Sequence, residues 1–392
     1  MEASLYIHVP FCAGTCDYCD FYSVPFTVGD SRPERFVQNL LSEAERLFDE
    51  HRPGFVPTLY IGGGTPSVLG AAGIRRLLGG LLPIIRRYSP PPGEITVEAN
   101  PESADEAFLA AAREGGVTRL SLGVQSFHGP SRRAVHRVGA GGHRAEALLH
   151  RRLTLAAEYF PGAFSADIIS GLPFQNERIL LDDIAALESY KPAHVSLYAL
   201  TLEPETPLAL NASQYPLPPQ DEADRLWLCG RGALEKSGFA QYEVSNFCRA
   251  GKESQHNIRY WRMKSWLALG PAASSTIIDE ETGTAVRRTI PKDADIWLAG
   301  KPLEITEPLD SLTLIKESFL MGFRYTEGPD GELFRRRFLR TIAAYIPQTL
   351  KTWQARGFLQ KDKTALTKEG LLFLDRFLLD AFQELELFDK QQ

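Results

Sequence analysis

The sequence has no long apolar run and no excess of basic residues, and these absences exclude two classes of protein. No stretch approaches the roughly 20 apolar residues that a membrane-spanning helix needs. Residues 1–10 also lack a basic region followed by an apolar one, which is the pattern of a secretory signal. The formal net charge of -6 gives no long-range attraction for nucleic acid. We therefore predict a cytoplasmic protein with no nucleic-acid partner and no integral membrane segment.

Cysteine is also scarce, because the 392 residues contain only five, an odd and sparse set that argues against a secreted disulfide framework. Cys12, Cys16 and Cys19 have the spacing Cys-x3-Cys-x2-Cys, whereas Cys229 and Cys248 lie far downstream. Three thiolates on one tight loop can hold three irons of a 4Fe-4S cluster, and with no fourth cysteine nearby one iron stays open. An open metal position is typical of a site that does chemistry.

Two other interpretations of these cysteines stay open at this point. One is a zinc site with His8 or Asp17 as the fourth ligand, although structural zinc sites generally use paired Cys-x2-Cys sets. The other is a structural metal module without catalysis. A brown colour of the purified protein would distinguish an iron-sulfur cluster from either.

The first two hundred residues alternate short strand-like runs with longer helical patterns, which is typical of βαβ units around a parallel sheet. We predict an α/β fold, an incomplete (βα)6 barrel of the TIM type, followed by a C-terminal α+β region. The six strands are predicted at 5–9, 59–62, 95–99, 119–124, 164–169 and 194–199.

Two helix starts are predicted from capping-box spacing, at Ser31 with Glu34 and at Ser103 with Glu106. The first of these helices has apolar residues at helical spacing, so one face of it should pack on the sheet. Those residues are Phe36, Leu40, Ala44 and Phe48.

Alternation along the strands predicts that polar side chains line the barrel lumen. In the first strand Tyr6 and His8 alternate with aliphatic residues, and later strands place Glu98, Gln125 and Asp167 in the same way. Unpaired buried polar groups are costly, so such a lumen must be wet or hold a polar ligand. The sequence therefore predicts a ligand site inside the barrel.

Several segments resemble the HemW family of heme chaperones, which belongs to the radical SAM superfamily and is related to the oxygen-independent coproporphyrinogen III oxidases. The resemblance covers nearly the whole chain. It implies a 4Fe-4S cluster on Cys12, Cys16 and Cys19, whose open iron is chelated by S-adenosylmethionine (SAM). The segments are 6–12 (YIHVPFC), 18–23 (YCDFYS), 62–67 (GGGTPS), 98–101 (EANP), 121–127 (SLGVQSF), 167–173 (DIISGLP) and 198–200 (YAL).

The resemblance also implies a set of residues that contact SAM. Among them Arg137 depends on the resemblance alone, since its surroundings are equally typical of a solvated helix end. The glycine run by itself is typical of a turn that ends a strand. The set is Tyr6, Tyr18, Gly63, Gly64, Thr65, Glu98, Gln125, Arg137, Asp167 and Ala199.

Two departures favour the heme chaperones over the oxidases. Phe21 stands two residues after Cys19, where the oxidases carry a further cysteine, and the motif begins after eleven residues rather than after a longer segment. The expected function is therefore to bind heme or another tetrapyrrole and deliver it to an acceptor protein, with at most peripheral contact to a membrane through that acceptor. The alternative is a SAM-dependent oxygen-independent coproporphyrinogen III oxidase or a related radical oxidoreductase. Whether the chain is an enzyme stays open.

A downstream segment, 256–261 (HNIRYW), resembles the His-Asn-x-x-Tyr-Trp element of the family, in which the histidine is implicated in heme binding. His256 is thus a candidate heme ligand, and Tyr260, Trp261 and Trp266 are candidates to cover a porphyrin face. A hydrogen-bonded structural histidine is the alternative. Relatives usually carry a second histidine further on, and here Ser274 replaces it.

We divide the chain into three parts. Residues 1–205 form the partial barrel, 206–300 connect and cover the substrate, and 301–392 form a winged-helix-like domain. In this last part we predict a helix at 345–356, two short strands around 361–363 and a final helix at 368–382. Its acidic end argues against DNA binding, so we expect it to cover the barrel mouth and dock a substrate or partner.

Overall fold

The computed structural model of the protein describes residues 1–27, 29–137, 142–300 and 303–389. In these residues the strands are, in chain order, β1 (Ser4–Val9), β2 (Phe11–Cys12), β3 (Val24–Pro25), β4 (Thr58–Gly63), β5 (Glu94–Ala99), β6 (Arg119–Gln125), β7 (Phe164–Ser170), β8 (His194–Ala199), β9 (Ala240–Gln241), β10 (Asn246–Cys248), β11 (Trp266–Leu269), β12 (Ser274–Asp279), β13 (Thr284–Thr289) and β14 (Ile305–Leu309). The α-helices are α1 (Arg32–His51), α2 (Gly70–Arg86), α3 (Glu106–Glu114), α4 (Gly129–Ala134), α5 (Gly142–Tyr159), α6 (Glu177–Glu188), α7 (Pro207–Leu210), α8 (Gln220–Lys236), α9 (Gln255–Trp261), α10 (Ala294–Leu298), α11 (Ser311–Gly322), α12 (Gly331–Phe338), α13 (Ile342–Tyr345), α14 (Pro347–Ala355), α15 (Lys368–Leu371) and α16 (Leu374–Asp389).

One large sheet runs in the order β14-β13-β12-β11-β1-β4-β5-β6-β7-β8-β10-β9. Strands β1 and β4 to β8 are parallel neighbours in chain order, with helices in the crossovers. All six predicted strands are present, each within one residue of its predicted ends. The prediction of an incomplete (βα)6 barrel is confirmed.

The sheet continues beyond the six predicted strands on both edges. Strand β11 pairs parallel to the free edge of β1, and β12 to β14 extend it as an antiparallel ribbon. On the opposite edge, β10 pairs antiparallel with β8. The segment 206–300, predicted to connect the two flanking parts and to cover the substrate, also supplies strands to both edges of the barrel sheet.

Helix α1 shows how the helices cover the outer face of the barrel. The four apolar residues predicted to share one face, Phe36 to Phe48, are completely buried. The predicted caps are wrong in detail, because Ser31 makes no capping bond and Asp30 accepts instead from the Arg32 backbone N–H. Likewise Asp105 caps α3, while Ser103 bonds to Ser67. A carboxylate beside the helix N-terminus outcompetes the serine hydroxyl because it also complements the helix dipole.

One helical stretch, Pro66–Arg86, is long and apolar enough to cross a membrane by length and composition alone. Its apolar side, including Leu77 and Leu81, is fully buried in the barrel core. Its other side carries Arg75 and Arg76, which form exposed ion pairs. This distribution is that of a core helix covering a sheet.

A second apolar core holds the C-terminal helices together. Phe319 on α11, Trp353 on α14 and Phe377 on α16 are buried in it, together with Met263 and Ile278 from the barrel side. The predicted helix at 345–356 is present as α14 with α13 before it, and the predicted last helix is present as α15 and α16. The two predicted strands around 361–363 are wrong, because within the described residues this loop makes one isolated bridge between positions 359 and 366.

Candidate functional site

The cysteine loop leaves the carboxyl end of β1 and is held close to the end of β4. The backbone N–H of Gly64 donates to the carbonyl of Val9 at 2.8 Å. A Cβ added to Gly64 would lie 2.6 Å from the Phe11 carbonyl oxygen, and one added to Gly63, whose φ is +111°, would lie 2.9 Å from that of Val9. The glycines therefore let two backbones approach at a distance that no side chain permits.

The three clustered cysteines face one cavity, which we call the upper cavity, at the carboxyl ends of the barrel strands. It has a volume of about 480 Å³ and is lined by Cys12, Cys16 and Cys19, all of which are free thiols. The Cys12 sulfur lies 3.2 Å from the hydroxyl of Thr65. Among the described residues, no three His, Cys, Asp or Glu side chains are placed to hold one metal ion. Three thiols on one wall suit a multi-iron cluster better than a single zinc ion.

The two candidate fourth ligands of a zinc site are engaged elsewhere. His8 donates from Nε2 to the carbonyl of Tyr22 at 2.9 Å, and its Nδ1 lies 3.1 Å from the hydroxyl of Tyr6. The Asp17 carboxylate binds His136 at 2.6 Å and accepts a short hydrogen bond from a tyrosine hydroxyl. The geometry thus disfavours the zinc interpretation.

Arg137 is buried in the site with only 8% of its surface exposed, so the alternative of a solvated helix end is wrong. Its Nη2 donates to the carbonyl of Gly123 at 2.7 Å and to Oδ1 of Asn100 at 2.8 Å, and its Nη1 lies 3.7 Å from the Cys16 sulfur. A Cβ on Gly123 would lie 3.0 Å from Nη2. The guanidinium therefore occupies space that glycine leaves open, and it places a positive charge beside the thiols.

Two carboxylates line the lumen below the cysteine loop. Glu98 accepts from the hydroxyl of Tyr60 at 2.6 Å and from the backbone N–H of Gly63 at 3.3 Å. Burial raises the pKa of Glu98 to about 7, although the hydrogen bond from Tyr60 lowers it. Asp167 accepts from the hydroxyl of Ser121 at 3.1 Å, and burial raises its pKa as well. Both groups are acceptors for the hydroxyl or ammonium groups of a polar ligand.

Gln125 ends β6 in an unusual conformation. Its φ of +68° is in the left-handed region, and the register between β6 and β7 shifts at this residue. Such a bulge re-aims a side chain, and strain of this kind is concentrated at functional sites. Gln125 accordingly lines the upper cavity.

Nine of the ten residues predicted to contact SAM line the upper cavity, which brings the two carboxylates, Arg137 and the glycine turn to one place. Tyr6 is the exception. It lies lower in the lumen, where its ring stacks on that of Tyr60 with centroids 6.2 Å apart. The nine are Tyr18, Gly63, Gly64, Thr65, Glu98, Gln125, Arg137, Asp167 and Ala199.

Asn100 was not among the predicted site residues, yet it connects them. Its side-chain N–H donates to the hydroxyl of Thr65 at 3.0 Å, while its oxygen accepts from Arg137. Because Thr65 also contacts Cys12, one chain of polar contacts joins three strand ends to the cysteine loop. Two sequence signals point to it: its place on the lumen face, two residues after Glu98, and its position inside the segment 98–101 (EANP) that resembles the family.

His256 lies at the other end of the lumen, where α9 closes the barrel floor. It is 1% exposed, its Nδ1 is 2.8 Å from the hydroxyl of Thr58 and its Nε2 is 3.3 Å from that of Tyr260. Burial lowers the pKa of His256 to about 3, so the ring is neutral. Thr58 begins β4 and Gly63 ends it, which separates His256 from the cysteine loop by roughly 16 Å of strand. Heme ligation by His256 stays a prediction, and both ring nitrogens have other partners in this structure.

The C-terminal helices lie away from the upper cavity. All residues that line this cavity fall between positions 12 and 203. The C-terminal core instead includes Met263, just after α9, and Ile278 and Ala285 on β12 and β13. Within the described residues, the unit predicted to cover the barrel mouth packs on its side and contributes nothing to the cavity wall.

Comparisons with known proteins agree with this arrangement. The family model for the radical SAM superfamily matches residues 6–187, and that for the HemN C-terminal domain matches 309–373. The chain is similar to heme chaperone HemW of Escherichia coli (strain K12), with 32% identity covering 96% of this chain and 97% of that protein. It is also similar to radical S-adenosyl methionine domain-containing protein 1, mitochondrial, of Mus musculus, with 33% identity covering 95% of this chain and 82% of the relative.

A solved structure shows the same fold. Coproporphyrinogen III oxidase (HemN) from Escherichia coli, a radical SAM enzyme, superposes with a TM-score of 0.79 at 20% sequence identity. The match covers 97% of this chain and 90% of that one. At this identity the likeness concerns the fold alone.

Proposed function

Because the chain belongs to the HemW family of the radical SAM superfamily, we propose that it is a heme chaperone, which binds heme and delivers it to acceptor proteins. A 4Fe-4S cluster and SAM complete the proposed set of cofactors. The observation that carries the cofactor part is that three free thiols and nine expected SAM positions share one cavity. The heme part is supported by the likeness to heme chaperones along nearly the whole chain. The cytoplasmic location stays a prediction.

The residues of the upper cavity have distinct parts in this proposal. Cys12, Cys16 and Cys19 would hold three irons, and a bound cluster with SAM would supply reductive cleavage of the sulfonium to a 5'-deoxyadenosyl radical. Arg137 offsets the negative charge of the thiolates from its position 3.7 Å from Cys16. Glu98 and the other lumen carboxylate orient a polar ligand by accepting hydrogen bonds, and the closed floor of the barrel excludes water from below.

The affinity for SAM is expected to rise as the pH increases through about 7, the raised pKa of Glu98. Only the ionised carboxylate accepts hydrogen bonds at both oxygens and attracts an ammonium group by its charge, so below this pKa strong binding must also remove a proton. Affinity should then fall by up to roughly tenfold for each unit of pH. Titration of the anaerobically reconstituted protein with SAM at several pH values measures the slope.

Glu98→Gln provides the control for this pH dependence, because its amide does not titrate. The variant should bind SAM more weakly at high pH and with a flatter pH profile. An unchanged slope in Glu98→Gln would assign the proton to another group and remove Glu98 from the SAM site.

Heme binding is tested by titrating the reconstituted protein with hemin and following the Soret band. We expect saturation near one equivalent in the wild type and at least about tenfold weaker binding in His256→Ala, because imidazole is a strong axial ligand. His194→Ala is the matched control. His194 is also buried, with ring nitrogens 2.7 Å from the hydroxyl of Ser165 and 2.8 Å from that of Tyr242. Its loss therefore reproduces the structural cost without the proposed ligand.

If hemin affinity falls equally in His256→Ala and His194→Ala, His256 is a structural residue and not the heme ligand. The chaperone proposal itself is tested by the titration of the wild type. Absence of saturable hemin binding, with 5'-deoxyadenosine formed when reductant and coproporphyrinogen are added, would favour an oxidase. The upper cavity is compatible with that chemistry. Against it stands Phe21, 71% exposed on the cavity wall, at a position where the oxidases are expected to carry cysteine.

A further inference from the structure

A second cavity, which we call the lower cavity, lies at the amino ends of the barrel strands, below α9. Its volume of about 540 Å³ is within the range of small-molecule sites, roughly 300 to 1,000 Å³. It is lined by the starts of β4, β5 and β6, the turns before β7 and β8, and one face of α9 with the loop that precedes it. His256 and Tyr260 are not part of this lining, because they point from α9 into the lumen. The lower cavity is therefore separate from the cofactor site.

Basic side chains dominate its charged lining. Two acidic residues are present, and one of them, Glu94, is already engaged by the start of α9. Its carboxylate accepts from the backbone N–H groups of Gln255 at 3.0 Å and His256 at 2.9 Å. The net charge of the lining is therefore positive, and the negative charge of Glu94 is already used to bind the N-terminus of α9. The basic residues are Arg119, Lys252, Arg259, Arg262 and Lys264, against Glu94 and Glu253.

Arg119 is the most informative member of this set. Only 8% of its surface is exposed, and within the described residues its guanidinium makes one hydrogen bond, from Nη1 to the carbonyl of Lys252 at 3.2 Å. In the part of the chain that the structure describes, no carboxylate forms an ion pair with it; Asp167, on the neighbouring strand, bonds to Ser121 instead. Buried charges are ordinarily paired, because removing them from water is costly. The missing partner of Arg119 points to an anion from outside the chain.

The arginines of α9 add a second observation. Arg259 uses Nη1 for Glu2 and Nε for Ser4, each at 2.5 Å, but its Nη2 is buried and has no hydrogen-bond partner in the described residues. Arg262, three residues further on the same face, lies over the ring of Tyr325 and also lines the cavity. Two walls of the lower cavity therefore carry guanidinium groups, Arg119 on one and Arg259 with Arg262 on the other.

We propose that the lower cavity binds a small molecule carrying at least two carboxylate or phosphate groups, held by Arg119 and Arg262, with the positive charge of Arg259 beside them. Guanidinium groups bind such oxyanions through paired, charge-assisted hydrogen bonds. Several separated cations favour a multivalent anion over a monovalent one. The site goes beyond heme binding and the SAM cavity, because it uses neither the thiols nor the lumen carboxylates.

The test uses the full-length protein with pyrophosphate and citrate as probes, measured by calorimetric titration and by thermal shift, with potassium chloride at equal ionic strength as the salt control. We expect saturable binding of at least one probe to the wild type. Arg119→Met should weaken it by at least about tenfold and Arg262→Gln by several-fold, as expected for loss of a charge-assisted contact. Arg178→Gln is the matched control, since the Arg178 side chain is 90% exposed, pairs with Asp182 and does not line the lower cavity.

The two probes separate phosphate from carboxylate chemistry, and either one supports the site. Failure of both probes to saturate, or equal affinity in Arg119→Met, Arg262→Gln and Arg178→Gln, would overturn the proposal. If Arg119→Met does not fold, Arg262→Gln decides the outcome, because this exposed side chain can change without disturbing the core.

Discussion

Replacing Cys12, Cys16 and Cys19 together by alanine is expected to remove essentially all bound iron, from about four atoms per chain to near zero. The brown colour of the reconstituted protein should disappear with it. These thiols are the proposed cluster ligands and line the upper cavity, and His8 and Asp17, the candidate substitutes, are held by other bonds. Iron and sulfide analysis after anaerobic reconstitution, together with the visible spectrum, measures the effect.

Cys229→Ala is the control for thiol loss in general. Cys229 is a free, half-buried cysteine on α8, far from the loop in sequence, and it does not line the upper cavity. Its removal should leave the iron content unchanged. Iron that persists in the triple variant, or that falls equally in Cys229→Ala, would contradict a cluster on the three-cysteine loop.

Gly64→Ala is the second change with a large expected effect. The new Cβ would lie 2.6 Å from the Phe11 carbonyl oxygen, which belongs to backbone and cannot rotate away. The cysteine loop must therefore shift from the end of β4, at a cost of roughly 1–3 kcal/mol in the free energy of unfolding. We expect cluster content to fall by more than half, because the loop positions all three thiols. Denaturant unfolding and iron analysis of the same preparation measure both effects.

Gly79→Ala is the control, because it adds the same methyl group at a position where it causes no steric clash. Apart from the neighbouring backbone of α2 itself, no atom of the described residues lies within 4 Å of a Cβ at this position. Alanine also favours the helix over glycine by about 1 kcal/mol, so the variant should be as stable as the wild type or more stable. A Gly64→Ala variant that behaves like Gly79→Ala would mean that the glycine turn does not position the loop.

The barrel strands could be predicted from the sequence because their signal is local. Alternation and the bounding turns locate β4 to β8 to within a residue, and they also identify which side chains face the lumen. The pairing of β11 with β1 has no such signal, since Leu267 meets Leu5 across most of the chain. Only tertiary packing selects that partner.

The sequence predicts which residues face the lumen better than it predicts where along the lumen each residue lies. Alternation along β1 assigns Tyr6 to the lumen, but it does not predict which residues of the lumen line the upper cavity. In the structure Tyr6 packs against Tyr60 and does not line this cavity. Asn100, in contrast, belongs to the site although it was not predicted as a site residue. Its contacts with Arg137 and Thr65 join residues from three different segments, so they exist only once the strand ends have met.

Helix α9 covers the barrel lumen at the amino ends of the strands, and the upper cavity lies at the other end. Glu94 binds the start of this helix and Thr58 binds its histidine, so in the described residues α9 covers the lumen at that end. Phe21 and Glu98 line the same upper cavity, so a ligand at Glu98 and a molecule at Phe21 would share one route to solvent. Exchange of the ligand at Glu98 would then depend on whether the position at Phe21 is occupied.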